Sequence, residues 1–334
     1  MRRSLVDRGA IEKLLLLVGA LRAGLIDAVG GDEGVTADQA ALAAGADARA
    51  SCVVLEALVA EGIVERLPGG GLPDGEVLVG RGGEECARYR LTRVGKAHLI
   101  DKGPDLERSS LLHQANKMRG WLQLDEVIRT GRPASRDPGL PNLRSMVEAM
   151  GERETEVLDE IIDRCFAYAG HIGTMVDIGG AVGHLARRFA MRGVTATLFD
   201  RAETLPIARE FLGDDAGSVA MIGGDLTVSL PPGPFDLVYF GNVLHIYPPE
   251  TNARVVREAF AVTNPGGVIA IQDYLLGMSE EAAMFGVNML RATENGGVWS
   301  ERQHREWLSE AGFGDVEAQT LDSTGSQLVL GRRP

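Results

Sequence analysis

Near the start of the chain the apolar residues Ile11, Leu14, Leu15, Val18, Leu21 and Leu25 return at steps of three and four, the spacing of one buried helix face. The run LLLLVGAL ends after eight residues at Arg22, follows Glu12 and Lys13, and leads into no small-residue cleavage pattern. It therefore reads as a core helix rather than a secretory leader. No stretch reaches the roughly 18 apolar residues that would span a bilayer. In VTADQAALAAGADARASCVVLEALVAEGIVERL the same spacing predicts two helices that turn at Gly45, with Thr36 capping the first. GIVERL and ARYRLTRVGKAHL then predict short strands flanking the glycine-rich loop GGGLPDGEVLVGRGGEE. Helix, turn, helix and wing make a winged helix, expected to occupy 1–105.

Helical spacing resumes in HQANKMRGWLQLDEVIRTG and LRSMVEAMGERETEVLDEIIDRCFAYAG, around the proline-bearing loop RPASRDPGLPN. This predicts a helical bridge over 106–169. From 170 to 334 the pattern changes to short apolar strands alternating with helices: TMVDIGG, AVGHLARRFAMRG, TATLFD, ETLPIAREFLG, VAMIGGD, FDLVYFGNV, TNARVVREAFAVT and GGVIAIQDY. Such alternation predicts an α/β domain, a parallel-rich sheet covered by helices on both faces. Ligands of such sheets bind beyond the carboxyl ends of the strands. Asp177, Asp200, Asp225, His245 and Asp273 all fall at or near such ends.

Composition narrows the partners. A net charge of -13 argues against attachment to nucleic acid or anionic lipid, which needs a basic footprint. The winged helix is thus expected to pack rather than to read DNA. Cys52, Cys86 and Cys165 are odd in number and widely spaced, which fits neither a disulfide framework nor a zinc cluster and points to a reducing, cytoplasmic setting. His113, His171, His184 and His304 show no metal-ligand spacing, so no metal is expected.

The glycines of TMVDIGGAVG carry the first chemical signal. A glycine turn between strand and helix lets a ligand approach the backbone and meet helix-terminal amides. Counted from Gly179, the dinucleotide fingerprint G-x-G-x-x-G would need glycines where Ala181 and His184 stand, and no G-K-[ST] follows to make a phosphate loop. The pattern D-x-G-G-x-x-G is followed, 23 residues after Asp177, by Asp200 at the end of the second strand. An ionised carboxylate there can accept from both hydroxyls of a ribose, so a single nucleoside is the expected ligand.

The ordered segments VDIGGAVG, FD, GGDL, FDLVYFGNVLH, NPGGVIAIQD and NGGVWSERQHREWLSEAGF resemble the successive motifs of S-adenosylmethionine-dependent O-methyltransferases of the plant caffeate and bacterial polyketide-tailoring type. The resemblance runs over essentially the whole chain. It implies a Rossmann-like methyltransferase domain behind a winged-helix dimerisation domain, an intertwined homodimer, and S-adenosyl-L-methionine as cofactor. Asp177, Gly179, Gly180 and Gly183 would underlie its methionine part and ribose, Asp200 with Arg201 would hold the ribose, and Asp225, Leu226 and Asn242 would surround the adenine. His245 would remove a proton from the substrate hydroxyl, oriented by Asp273. An imidazole with a pKa near ~6.5 suits that task.

The chain departs from this family at three points. His245-Ile246-Tyr247 stands where the family commonly writes His-Asp-Trp, Trp299 falls where a second acid is expected, and Gly241 occupies a position often held by lysine in plant members. O-methylation of a small-molecule hydroxyl in secondary metabolism is the leading expectation. Carbon or nitrogen methylation, or use of the cofactor without methyl transfer, stays open beside it. A winged-helix regulator and a nicotinamide oxidoreductase fit less well, for want of a basic footprint and of the third glycine. Met118, Trp121, Met146, Met150, Phe285, Met289 and Trp299 are the candidate lining of an apolar acceptor pocket.

Overall fold

The computed structural model describes residues 8–67, 87–101, 105–133, 143–151 and 155–334. The chain divides into two compact units, Met1–Ala115 and Asn116–Pro334. The first contains α1 (Arg8–Arg22), α2 (Leu25–Ala28), β1 (Val35–Thr36), α3 (Ala37–Ala44), α4 (Ala48–Ala60), β2 (Val64–Arg66), β3 (Arg88–Leu91), α5 (Arg93–Leu99) and the beginning of α6 (Arg108–Trp121). Its helices start where side chains answer free amides. The Thr36 hydroxyl accepts from the Gln39 N–H at 3.2 Å while the Gln39 side chain accepts from the Thr36 N–H at 3.0 Å, a reciprocal cap. Asp47 and Thr92 cap α4 and α5, and Gly45 ends α3 with a φ of 63°.

The two strands expected in this unit pair antiparallel, Val64 opposite Leu91. Thr36 does more than cap, because Val35 and Thr36 add a third strand against Tyr89 and Arg88. The glycine-rich loop read as a wing lies outside the described residues from 68 to 86, with Cys86. Leu17, Leu21, Ile26, Leu55, Leu58 and Leu91 build the core. The face expected on α1 is only partly buried. Val18 and Leu21 turn inward and Leu25 does so from α2, past the break at Gly24 (φ 77°), whereas Ile11 and Leu15 are 39% and 51% exposed, because Leu17 and Ala20 take the inward positions that the three-and-four spacing also permits.

The second unit continues α6 and adds α7 (Leu124–Thr130), α8 (Leu143–Gly151) and α9 (Thr155–Ala169). The loop RPASRDPGLPN lies outside the described residues from 134 onward. There follow β4 (Thr174–Ile178), α10 (His184–Met191), β5 (Thr195–Asp200), α11 (Leu205–Leu212), β6 (Val219–Gly223), β7 (Phe235–Gly241), α12 (Pro249–Val262), β8 (Thr263–Asp273), α13 (Glu280–Ala292), α14 (Glu301–Ala311), β9 (Gly314–Thr320) and β10 (Gln327–Arg332). The seven strands of this unit lie in the order β6-β5-β4-β7-β8-β10-β9. The first five run parallel, as the alternation predicts. β10 is antiparallel to both neighbours, a C-terminal hairpin that the sequence reading left out.

Side-chain alternation divides the core in two. Met175, Leu237, Tyr239, Val268, Ala270 and Leu330 point to the face covered by α9, α10 and α11. Val176, Val238, Phe240, Ile269, Ile271 and Val329 point to the face covered by α12 and α14. Strands buried on both faces must be apolar throughout, which is why they read as continuous hydrophobic runs. Their amino ends are tied at one carboxylate. Asp236 accepts from the N–H groups of Gly173 and Thr174, the Thr174 hydroxyl and the Asn264 amide. Burial opposes its charge, but these donors hold its pKa below the ordinary value.

Glu160 on α9 makes a comparable tie. Its Oε1 accepts from the Asp322 N–H at 2.8 Å and from the Arg164 guanidinium, and its Oε2 accepts from the N–H and hydroxyl of Ser323 at 3.0 and 2.6 Å. Burial works against ionisation, yet the donors, Ser323 first, lower its pKa to about 2. A carboxyl depressed in the folded state stabilises the fold above its unfolded value near 4.5 and loses that contribution as pH falls toward about 2. Glu160→Gln is therefore expected to lower the denaturation midpoint at pH 7 and to flatten the acid limb between pH 4.5 and 2, as chemical denaturation across that range will measure.

Candidate functional site

At the carboxyl end of β4 the chain turns through Gly179 and Gly183, both at positive φ (71° and 74°), and through Ala181, which adopts 52° despite its side chain. Gly179 donates its N–H to the Phe199 carbonyl at 2.7 Å, prolonging the pairing with β5. A side chain at Gly179 would begin 2.7 Å from Val243, and one at Gly180 would begin 2.3 Å from the Asp177 carboxylate and 2.7 Å from Leu198. At Gly179 and Gly180 the turn thus has room for backbone only, and the buried Asp177 packs against it. Gly179, Gly180, Asp177, Ala181, Met150, Tyr239 and Gly241 share one recess. It sits where the strand order reverses between β4 and β7, the place where such sheets bind ligands.

Asp200 closes β5 beside this turn. Its Oδ2 accepts from the Ala181 N–H at 2.8 Å and its Oδ1 from the Arg201 N–H at 2.7 Å. Burial nevertheless raises its pKa, with those amides and Thr204 working in the opposite sense. The Arg201 side chain turns outward to Glu203. Asp225 is exposed and accepts both the N–H and the hydroxyl of Thr227; the Thr227 side chain is the main reason its pKa is lowered. Leu226 is buried. Asn242 takes a φ of 56° and donates its N–H to the Gln272 carbonyl at 2.8 Å. Tyr247, absent from the sequence-derived set, belongs with these residues. Burial raises its phenol pKa, and the charges of Asp225, Arg201 and Asp200 all act on it.

The second focus is His245, on a short 3-10 turn (Leu244–Ile246) after β7. Its ring Nδ1 faces Asp273 Oδ1 at 2.8 Å and Oδ2 at 3.0 Å, and its backbone N–H reaches Oδ2 at 3.2 Å. A carboxylate only accepts, so Nδ1 carries a proton, and in the neutral ring the lone pair lies on Nε2. Asp273 also accepts the Tyr274 N–H at 2.9 Å, and both partners are buried. Phe285 packs edge-on against the imidazole, ring centroids 4.7 Å apart.

The His245 backbone is clamped from behind. The Leu244 carbonyl accepts from the Asn252 amide at 2.9 Å and from the Trp299 indole N–H at 3.2 Å. The His245 carbonyl accepts the Gly297 N–H at 2.9 Å, and a side chain at Gly296 would strike that carbonyl at 2.4 Å. Trp299, where an acid was expected, supports this turn. Asn252 could not be found from the sequence, because an asparagine inside a helix carries no motif.

The seven candidate acceptor residues do not form one group. Phe285 reaches the His245 ring, and Trp121 meets Arg291 of α13 with 6.0 Å from guanidinium carbon to ring centroid. Met289 is buried on α13, and Met118 is partly buried on α6. Met146 packs on Val147, Ala181, Val182 and Ile207, and Met150 lines the recess at the glycine turn. Both methionines therefore sit with the residues of the glycine turn.

The residues present fit a nucleoside sulfonium. A glycine-rich turn, a carboxylate at the β5 end and a buried imidazole-carboxylate pair adjoin where Gly179 approaches Val243, two residues before His245. The model of the O-methyltransferase domain matches residues 140–314, a span that holds every one of them. The chain is 26% identical over 314 residues to the tetracenomycin polyketide synthesis 8-O-methyl transferase TcmO of Streptomyces glaucescens, covering 87% of this chain and 85% of that one. It is 25% identical over 271 residues to the N,N-dimethyltransferase OxyT of Streptomyces rimosus, covering 74% and 77%. Human N-acetylserotonin methyltransferase, solved with S-adenosylmethionine, shares the fold at a TM-score of 0.76 over 99% of each chain, with 20% identity.

Gly180→Ala tests the steric reading of the turn. The added methyl meets Asp177 and Leu198, so a stability loss of about 1–3 kcal/mol is expected, together with weaker S-adenosylhomocysteine binding in calorimetry. Unchanged affinity would show that ligands do not approach this backbone. The domain match and the geometry lead to one conclusion: the chain belongs to the O-methyltransferase domain family and is an S-adenosylmethionine-dependent methyltransferase.

Proposed function

We propose that the enzyme methylates a hydroxyl of a hydrophobic aromatic small molecule of secondary metabolism, with His245 as the base. The observation that carries this reading is the pinned imidazole, whose Nδ1 is committed to Asp273 and whose Nε2 is left to accept a proton. In this reading Asp177, Gly179, Gly180 and Gly183 cradle the cofactor, Asp200 and Arg201 hold its ribose, and Asp225, Leu226 and Asn242 frame the adenine. Tyr247 joins that frame. When bound, S-adenosylmethionine supplies a methyl group already activated on a sulfonium, so the protein's task is mostly alignment.

The proton of the acceptor hydroxyl passes to His245 Nε2 and leaves the oxygen nucleophilic. Asp273 fixes the ring's tautomer and steadies the imidazolium. Phe285 excludes water from one side of the ring. Met118, Trp121, Phe285 and Met289 line the acceptor side, while Met146, Met150 and Trp299 support the neighbouring walls. Amine methylation is the second reading, favoured by Ile246 and Trp299 in place of acids and by the similarity to OxyT. A neutral amine needs no base before it attacks.

The unit 1–105 serves as a winged-helix dimerisation domain, 106–169 as a bridge to the substrate, and 170–334 as the catalytic domain. A homodimer is supported by the exposed Ile11 and Leu15, one turn apart on α1. A cytoplasmic setting suits Cys165, whose thiol is buried and pushed up to about 12. No helix among the described residues is long and apolar enough to cross a membrane.

His245→Ala is expected to slow turnover by about 10²–10⁴-fold and to spare cofactor affinity; full activity on an identified acceptor would transfer the reading to the amine alternative. Asp273→Asn presents an amide to Nδ1 and is expected to lower kcat with little change in cofactor binding. Asp200→Ala removes a charged acceptor worth about 1.5–3 kcal/mol, so S-adenosylhomocysteine should bind roughly tenfold more weakly or worse. Burial raises the Asp200 pKa, so cofactor affinity should fall with acidification at a higher pH than an ordinary aspartate would give. Titration calorimetry from pH 4 to 8 will measure this, and a flat profile would remove Asp200 from the ribose site.

A further inference from the structure

Two cations of the second unit sit half-buried with no acid to answer them among the described residues. The Lys117 ammonium on α6 is perturbed by burial and by the positive charge of Arg291, both of which push its pKa down, and by no carboxylate. Arg291 on α13 is likewise lowered by burial alone. Its Nε and Nη2 donate to Asn288 Oδ1 at 3.1 and 2.6 Å, and its Nη1 lies 2.6 Å from where a Gly120 side chain would begin. Among the described residues neither cation has a carboxylate within ion-pair distance. By contrast Arg144, Arg164 and Arg192 each engage two acids. In a chain with 47 acidic and 34 basic side chains, acids are plentiful, and charges buried without partners are costly.

The position of the two cations gives them a use. Lys117, Gly120 and Trp121 stand at i, i+3 and i+4 on α6, so they share a face. The Arg291 guanidinium lies over the Trp121 ring on that face. Asn288 draws the guanidinium back along α13 to within one turn of Phe285, the ring packed on His245. Two like charges beside each other lower each other's stability, and an anion between them reverses the sign of that interaction. A guanidinium and an ammonium together match a carboxylate, the first through paired N–H donors and the second as a point charge.

We infer that the acceptor is an aromatic carboxylate whose acid group is received by Lys117 and Arg291 while its hydroxyl lies toward His245. This rests on the methyltransferase reading and narrows its substrate class. The test uses the full-length enzyme saturated with S-adenosylhomocysteine and two matched pairs, a hydroxynaphthoate and a hydroxyanthraquinone carboxylate, each with its carboxamide. Calorimetry is expected to show at least one acid binding tenfold or more tightly than its amide. Lys117→Gln and Arg291→Gln should each erase most of that preference without changing amide or S-adenosylhomocysteine affinity, which also certifies their folding, and Lys117→Arg should retain it. Equal binding of acids and amides, no binding of any acid, or a preference that survives both glutamine variants would overturn the inference. Failure of the wild-type enzyme to bind S-adenosylhomocysteine would instead overturn the reading beneath it.

Discussion

A carboxylate buried among apolar strands must have its charge answered by donors, and Asp273 meets this demand by organising everything around it. Its donors are the His245 N–H, the His245 ring and the Tyr274 N–H. To supply two of them, the chain after β7 has to break into a 3-10 turn and expose the carbonyls of Leu244 and His245. Those carbonyls then recruit Asn252, Trp299 and Gly297. The ring orientation, the turn and the supporting loop follow from one desolvated charge at the end of β8.

The glycine turn after β4 obeys a steric rather than an electrostatic constraint. Its glycines leave no volume for side chains, and Asp177 and Asp200 fill the space around a bare backbone. Ala181 keeps a side chain at a φ of 52°, a conformation that costs a non-glycine residue of the order of 1–2 kcal/mol. Its N–H is thereby directed to Asp200, so the local strain is joined to the carboxylate that ends β5. The two sides adjoin at Gly179, where a side chain would begin 2.7 Å from Val243.

Much of this was legible in the sequence because the physics involved is short-range. Alternation of apolar strands with helices gave the parallel sheet, and the end of each strand marked Asp177, Asp200 and Asp273. The family resemblance joined His245 to Asp273, which no local spacing could have paired. The antiparallel β10 went unread because its apolar run looks the same in either direction. Ile11 and Leu15 were assigned to a buried face because a helix rich in leucine has two faces of nearly equal hydrophobicity. Asn252, Tyr247 and the Lys117–Arg291 pair were invisible for a different reason: their roles arise from neighbours distant in the chain.

The position of β10 bears on how this unit is assembled during synthesis. Asp273 lies on β8, whose outer neighbour is made only after more than fifty further residues have been added. Until then β8 presents an apolar edge with free backbone groups, a template for pairing with another nascent chain. The hairpin of β9 and β10 closes that edge once β10 pairs with β8. A nascent chain that pauses before Gln327 therefore holds β8 open to edge-to-edge association, whatever residues stand at the site.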